Sequence, residues 1–107
     1  MEAAIPENDN QDWFVYILRC SNGALYTGVT TDVRRRVGEH DSKGRRSARF
    51  TRAFAPVELV YSCSMGAKSL AYRTEYRIKR LPRRKKALVV ARNFSKSKLL
   101  DFLDLKE

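Results

Sequence analysis

Between Trp13 and His40 this 107-residue chain gathers two phenols, a guanidinium and an imidazole: Tyr16 and Tyr26 ten residues apart, Arg36 and His40 four apart. These types suit chemistry on a phosphate. An arginine presents a fork of donors to phosphate oxygens and keeps its charge at neutral pH. The chain's one histidine titrates nearest neutrality, so it can relay a proton or bind phosphate. A phenol is a poor base at its free pKa of about 10 unless neighbouring cations lower it. Each residue also has a plainer reading: tyrosines are common in strands, Arg34-Arg35-Arg36 can be a solvated face, and His40 can be a half-buried helix residue.

The elements that must position these groups follow from the local pattern. Two β-type runs, Trp13 to Cys20 and Ala24 to Thr30, flank Ser21-Asn22-Gly23, and Asn-Gly between apolar runs signals a hairpin. A two-residue turn would pair Tyr16 with Val29 and put the rings on opposite faces. A three-residue loop with Gly23 left-handed pairs Cys20 with Ala24, Tyr26 with Leu18 and Tyr16 with Gly28. Both rings then share a face with Gly28 open beside them, and this register is the expectation. A helix over about 33–41 follows, with Thr31 or Asp32 as cap, Val33 and Val37 as its apolar edge, and Arg36 and His40 on one face.

Downstream, Ser42 to Ala55 reads as a loop with Lys43, Arg45, Arg46, Arg49 and Arg52 interleaved with Phe50 and Phe54. The arginines suit phosphate contact, and the phenylalanines suit packing onto the core. Pro56 opens a third strand over 57–63, with Val57, Leu59, Tyr61 and Cys63 on one face. A helix over 67–80 carries a buried stripe of Ala67, Ala71, Thr74, Ile78 and Leu81, with Glu75 at its edge. Pro82 precedes a helix over 83–91 whose opening Arg83-Arg84-Lys85-Lys86 opposes the helix dipole, which argues for a use of those charges. Asn93 and Ser95 punctuate a last helix to about Leu103. The expected fold is α+β, a small three-stranded antiparallel sheet flanked by helices in the order β-β-α-β-α-α, closed by that C-terminal helix.

The length fits one domain, 13–107, after a disordered tail at 1–12. A net charge of +10 points to a polyanionic partner, nucleic acid first. An anionic membrane fits less well, because the cations are spread over several segments rather than along one amphipathic helix. Cys20 and Cys63 sit in apolar runs as small hydrophobes, with no zinc-like spacing. The acidic, polar start lacks the features of a secretory signal, and no apolar run approaches a membrane span. A soluble, cytoplasmic monomer is expected.

Val15-Tyr16-Ile17, Tyr26-Thr27-Gly28, Arg36, His40 and, later, Glu75 in Ala71-Tyr72-Arg73-Thr74-Glu75 together resemble the GIY-YIG nuclease family in its small single-domain branch. Both tyrosines and the second glycine match; the first glycine is replaced by Val15. The resemblance, over about 13–91, implies that Tyr16 is the general base, that Tyr26 orders the site, and that Glu75 binds a metal. One Mg²⁺ or Mn²⁺ fits, since magnesium keeps waters and takes phosphate oxygens where protein ligands are few. Glu39, Asp41, Glu58 and Glu75 are too scattered in sequence for a two-metal site. The implied catalytic set is Tyr16, Tyr26, Arg36, His40 and Glu75. Phosphate contact is expected from Arg35, Lys43, Arg45, Arg46, Arg49, Arg52, Lys79, Arg83 and Arg84.

Two functions are compatible with this pattern. One is a divalent-metal-dependent endonuclease acting on DNA and directed by backbone or structure rather than sequence. The other is a nuclease-like module that holds nucleic acid with weak or absent catalysis. The presence of Tyr16, Tyr26, Arg36 and Glu75 together favours the first, because a surface that only binds phosphate has no use for a carboxylate.

Overall fold

The computed structural model describes residues 11–41 and 55–107. Strand β1 (Trp13–Cys20) is central, with β2 (Leu25–Thr30) and β3 (Val57–Gly66) antiparallel on either side. Helix α1 (Val33–Asp41) follows the hairpin, and α2 (Lys68–Lys79), α3 (Arg83–Arg92) and α4 (Lys96–Phe102) follow β3. The α+β architecture and the order of elements are those expected. Residues 42–54 of the charged loop read over 42–55, and residues 1–10 of the tail read over 1–12, lie outside the described residues.

The hairpin adopts the three-residue register. Tyr16 pairs with Gly28 and Leu18 with Tyr26. Cys20 N–H donates to Ala24 O at 2.9 Å, and Gly23 N–H donates to Cys20 O at 2.8 Å. Gly23 has φ +86°, a conformation that a side chain disfavours. Asn22 reinforces the turn by accepting from Ala24 N–H at 3.0 Å. One residue of loop length thus decides that both tyrosines face the same way.

Of the two candidate caps for α1, Asp32 is the one used: its Oδ1 accepts from Arg35 N–H at 3.1 Å. Thr30 Oγ1 in turn accepts from Asp32 N–H at 3.1 Å. The chain is thereby turned directly from β2 into α1, which brings the last turn of the helix over the hairpin.

The core joins Val15 and Ile17 of β1, Tyr61 and Met65 of β3, Leu70, Ala71 and Ile78 of α2, Val89 of α3, and Leu99, Leu100 and Leu103 of the C-terminal segment. Tyr61 O–H donates to Phe94 O at 2.7 Å, tying the sheet to the α3–α4 turn. Ser95 caps α4 by accepting from Lys98 N–H, as its position suggested.

Two packing expectations are corrected. Leu59 is 41 % exposed, although simple alternation puts it with Tyr61. Tyr61 pairs with Ile17 and Leu59 with Leu18, so Val60 is an extra residue that shifts the phase of the strand. In α2 the stripe starts at Leu70, because the helix begins at Lys68 and Ala67 is an exposed, extended cap residue.

Candidate active site

A buried polar contact joins the hairpin to α1. Tyr16 is 1 % exposed and His40 fully buried, and the Tyr16 hydroxyl lies 2.9 Å from His40 Nε2. The Tyr26 ring, half-buried, meets the same imidazole edge-on at 5.2 Å between centroids. His40 is therefore held between the two tyrosines that the hairpin turn aligned.

Burial is what governs the titration of this pair. It pushes the Tyr16 phenol up to about 12; Tyr26 and Glu75 add to the rise, while the Arg36 guanidinium opposes it. The expected lowering by Arg36 is present but outweighed. Burial likewise brings His40 down to about 4, reinforced by Arg36 and opposed by Glu39. At neutral pH the contact is thus between a protonated phenol and a neutral imidazole.

Arg36 is held in place by a residue that sequence reasoning treated as one of several scattered acids. Its guanidinium donates to Glu39 Oε1 at 2.8 Å, and Arg35 donates to Glu39 Oε2 at 3.2 Å. Spacings of three and four on one helix were the available signal for this clamp. Arg35, expected to contact nucleic acid, is engaged on this clamp and also lies 4.0 Å from Asp32.

Gly28 has a different role from the open space assigned to it. A Cβ there would collide with the Tyr16 hydroxyl and lie 2.6 Å from Tyr16 Cζ, so the bare backbone is the seat of the ring. The cleft beside the tyrosines is filled by Tyr16 itself.

On α2, Glu75 is half-buried and accepts an ion pair from Lys79 Nζ at 3.3 Å, one turn on. Lys79 also lines, with Leu25, Tyr26, Thr27 and Lys86, a cavity of about 260 Å³. Glu75 is close enough to Tyr16 to influence its titration. Of the five expected catalytic residues, Tyr16, Tyr26 and His40 are in direct contact, and the charges of Arg36 and Glu75 bear on the Tyr16 phenol.

As a metal ligand, Glu75 offers one hard carboxylate whose present partner is an exposed, flexible lysine. That donor set fits a single, largely hydrated Mg²⁺ or Mn²⁺. Among the described residues no three His, Cys, Asp or Glu side chains come together.

Of the cations expected to touch phosphate, Lys79 and Arg84 are exposed, and Arg83 uses a donor on the hairpin, to Gly23 O at 2.8 Å. That bond explains part of the misplaced charge at the start of α3. Lys43, Arg45, Arg46, Arg49 and Arg52 lie outside the described residues. Among the described residues no helix is long and apolar enough to cross a membrane.

A three-stranded antiparallel sheet with two tyrosines, an arginine and a histidine converging at the hairpin defines a domain of the GIY-YIG nuclease type. The chain belongs to that family, whose catalytic-domain profile matches residues 12–87. The UPF0213 protein DP2720 of Desulfotalea psychrophila is 49 % identical over 87 residues, covering 80 % of this chain and 78 % of that one. The UPF0213 protein YhbQ of Escherichia coli is 41 % identical over 95 residues, covering 89 % and 93 %. The solution NMR structure of the UPF0213 protein BH0048 from Bacillus halodurans matches with a TM-score of 0.52 at 38 % identity, over 90 % of this chain and all of that one.

Proposed function

We propose that this chain is a divalent-metal-dependent endonuclease that hydrolyses phosphodiester bonds in DNA and is directed by backbone and structure rather than by sequence. The observation that carries this reading is the buried contact of 2.9 Å between the Tyr16 hydroxyl and His40 Nε2. A neutral imidazole can accept the phenolic proton while the phenol oxygen takes one from water. Tyr16, held up to about 12, does not wait as a phenolate. It passes a proton on to His40 as water becomes the nucleophile.

Arg36, pinned by Glu39, is poised to donate to the oxygens of the scissile phosphate and to stabilise charge as it develops there. Glu75 is the residue that would hold Mg²⁺ or Mn²⁺, which when bound neutralises charge on the phosphate and the departing oxygen. Tyr16 is only 1 % exposed. Tyr26, half-buried, is the phenol on the solvent side.

The ion pair from Lys79 to Glu75 at 3.3 Å favours a second reading, a binding module whose carboxylate is simply neutralised. Incubating purified protein with nicked, branched, single-stranded and duplex DNA, with Mg²⁺ or Mn²⁺ and in parallel with EDTA, separates the two. Metal-dependent cleavage supports the endonuclease. Tight binding with every substrate left intact supports the module.

A further inference from the structure

Helix α2 carries two large aromatic rings that the core does not use. Tyr72 is 45 % exposed and Tyr76 59 % exposed, one turn apart on the same face. Each ring has aromatic or cationic company at the surface. Trp13 lies 5.9 Å from Tyr72, Lys68 Nζ lies 5.3 Å from the Trp13 ring, and Arg80 lies 5.3 Å from the Tyr76 ring. The result is a surface row of Lys68, Trp13, Tyr72, Tyr76 and Arg80.

The row adjoins the candidate site. Residues three and four apart share a helix face, so Tyr72, Glu75, Tyr76 and Lys79 are neighbours on α2. On the far side the two rings border a cavity of about 420 Å³, also lined by Arg73, Arg77 and Leu105. Those arginines are fixed there: Arg73 donates to Lys106 O at 2.9 Å and Arg77 to Leu103 O at 2.8 Å. From Lys68 to Arg80 the helix and its C-cap residue carry five cations, Lys68, Arg73, Arg77, Lys79 and Arg80, against Glu75 alone.

An exposed aromatic pair set among cations matches the chemistry of an unpaired nucleic-acid strand, whose bases stack on rings while its phosphates meet the charges. A stacked duplex hides its base faces and would gain nothing from the rings. We infer that the Tyr72–Tyr76 face of α2 is a stacking platform for unpaired nucleotides flanking the scissile phosphate, so that the preferred substrate is DNA with a single-stranded segment next to the cut. This assignment of substrate rests on the endonuclease reading for its cleavage consequence but not for its binding consequence.

The test is fluorescence anisotropy in EDTA with a labelled duplex carrying a single-stranded overhang and with the same duplex blunt-ended. Tyr72→Ala/Tyr76→Ala should weaken overhang binding at least about fivefold, since each stacked base contributes on the order of 1 to 3 kcal/mol. Blunt-duplex binding should be unchanged, and Tyr72→Phe/Tyr76→Phe should restore the overhang preference because the rings remain. Equal loss on both probes, or no loss on either, overturns the platform. So does a change in sedimentation between wild type and the alanine variant, which would make the face a contact between copies of the chain.

Circular dichroism on the same samples checks that the variants fold. If the wild type cuts nothing yet shows the ring-dependent overhang preference, the endonuclease reading fails and the platform stands. If it cuts overhang and blunt substrates alike and the alanine variant does the same, the platform fails and the endonuclease reading stands.

Discussion

The Tyr16 hydroxyl and His40 Nε2 lie 2.9 Å apart across 24 residues of sequence, and both residues are buried. Their protonation is therefore coupled to folding. His40 has a folded pKa of about 4 against an ordinary 6.5, so the unfolded chain takes up the proton first as pH falls. The stability this represents is complete above about pH 6.5 and is lost as pH falls through 4, of the order of 3 kcal/mol. Tyr16, raised from 10 to about 12, gives an alkaline counterpart: its contribution is complete below pH 10 and is lost as pH rises through 12.

Denaturant unfolding of wild type and His40→Gln between pH 4 and 7 checks the acid limb. The wild type should exceed the variant by most at pH 7, and the gap should narrow by about 3 kcal/mol on going to pH 4. Carboxylates titrating in that range largely cancel in the difference. A gap independent of pH would mean that His40 is not held neutral by its surroundings.

Gly28 gives a second prediction. With Tyr16 Cζ 2.6 Å from the position of a Cβ, Gly28→Ala must shift the ring off His40. Overpacking of this kind costs typically about 1 to 3 kcal/mol, and cleavage should fall as the hydroxyl leaves the imidazole. In a Tyr16→Ala background the ring is gone, so Gly28→Ala should cost much less. Melting temperatures of the two single variants and the double variant measure the coupling directly. Additive effects would show that the glycine serves something other than the ring.

How far these contacts were legible in the sequence depends on their range. The register of the hairpin could be read because Gly23 and the loop length are local, and so could the pairing of Arg36 and His40 on one helix face. The exposure of Leu59 could not, because the bulge at Val60 breaks the period of two on which strand reading depends. The Glu39 clamp was within reach of helix spacing, yet nothing in the sequence ranked it above the alternatives. Burial of Tyr16 to 1 %, which decides its pKa, is set by elements far apart in the chain and has no local signature. The hydrogen bond from Arg83 to Gly23 O spans 60 residues and was invisible for the same reason.

For the arginine-rich segment the prediction concerns salt. Each phosphate neutralised on duplex DNA contributes about 0.9 to the slope of log affinity against log salt. Replacing Arg45, Arg46, Arg49 and Arg52 together by alanine should weaken binding alike on all sequences and flatten that slope by about 0.9 for each phosphate no longer neutralised. Titrations at several salt concentrations on two unrelated duplexes provide the check. Weakening confined to one duplex would mean that the segment reads bases, and an unchanged slope would remove it from the interface.

Glu75 separates catalysis from binding most sharply. It is half-buried and paired with Lys79 at 3.3 Å, and because the lysine side chain is 51 % exposed the i,i+4 pair is open to solvent and contributes only about 0.3 to 0.5 kcal/mol. Glu75→Gln should therefore barely move the melting temperature. If the carboxylate holds the metal, the substitution keeps the size of the side chain but removes its charge, and cleavage in Mg²⁺ should collapse. Affinity for DNA should hold or rise, because a negative charge has been taken from a cationic surface and Lys79 is released to meet phosphate. Cleavage, anisotropy and melting measured on one preparation distinguish this from a structural role. Metal-dependent cleavage that survives in Glu75→Gln would remove Glu75 from the site, and a parallel loss of cleavage, binding and stability would make it a folding residue.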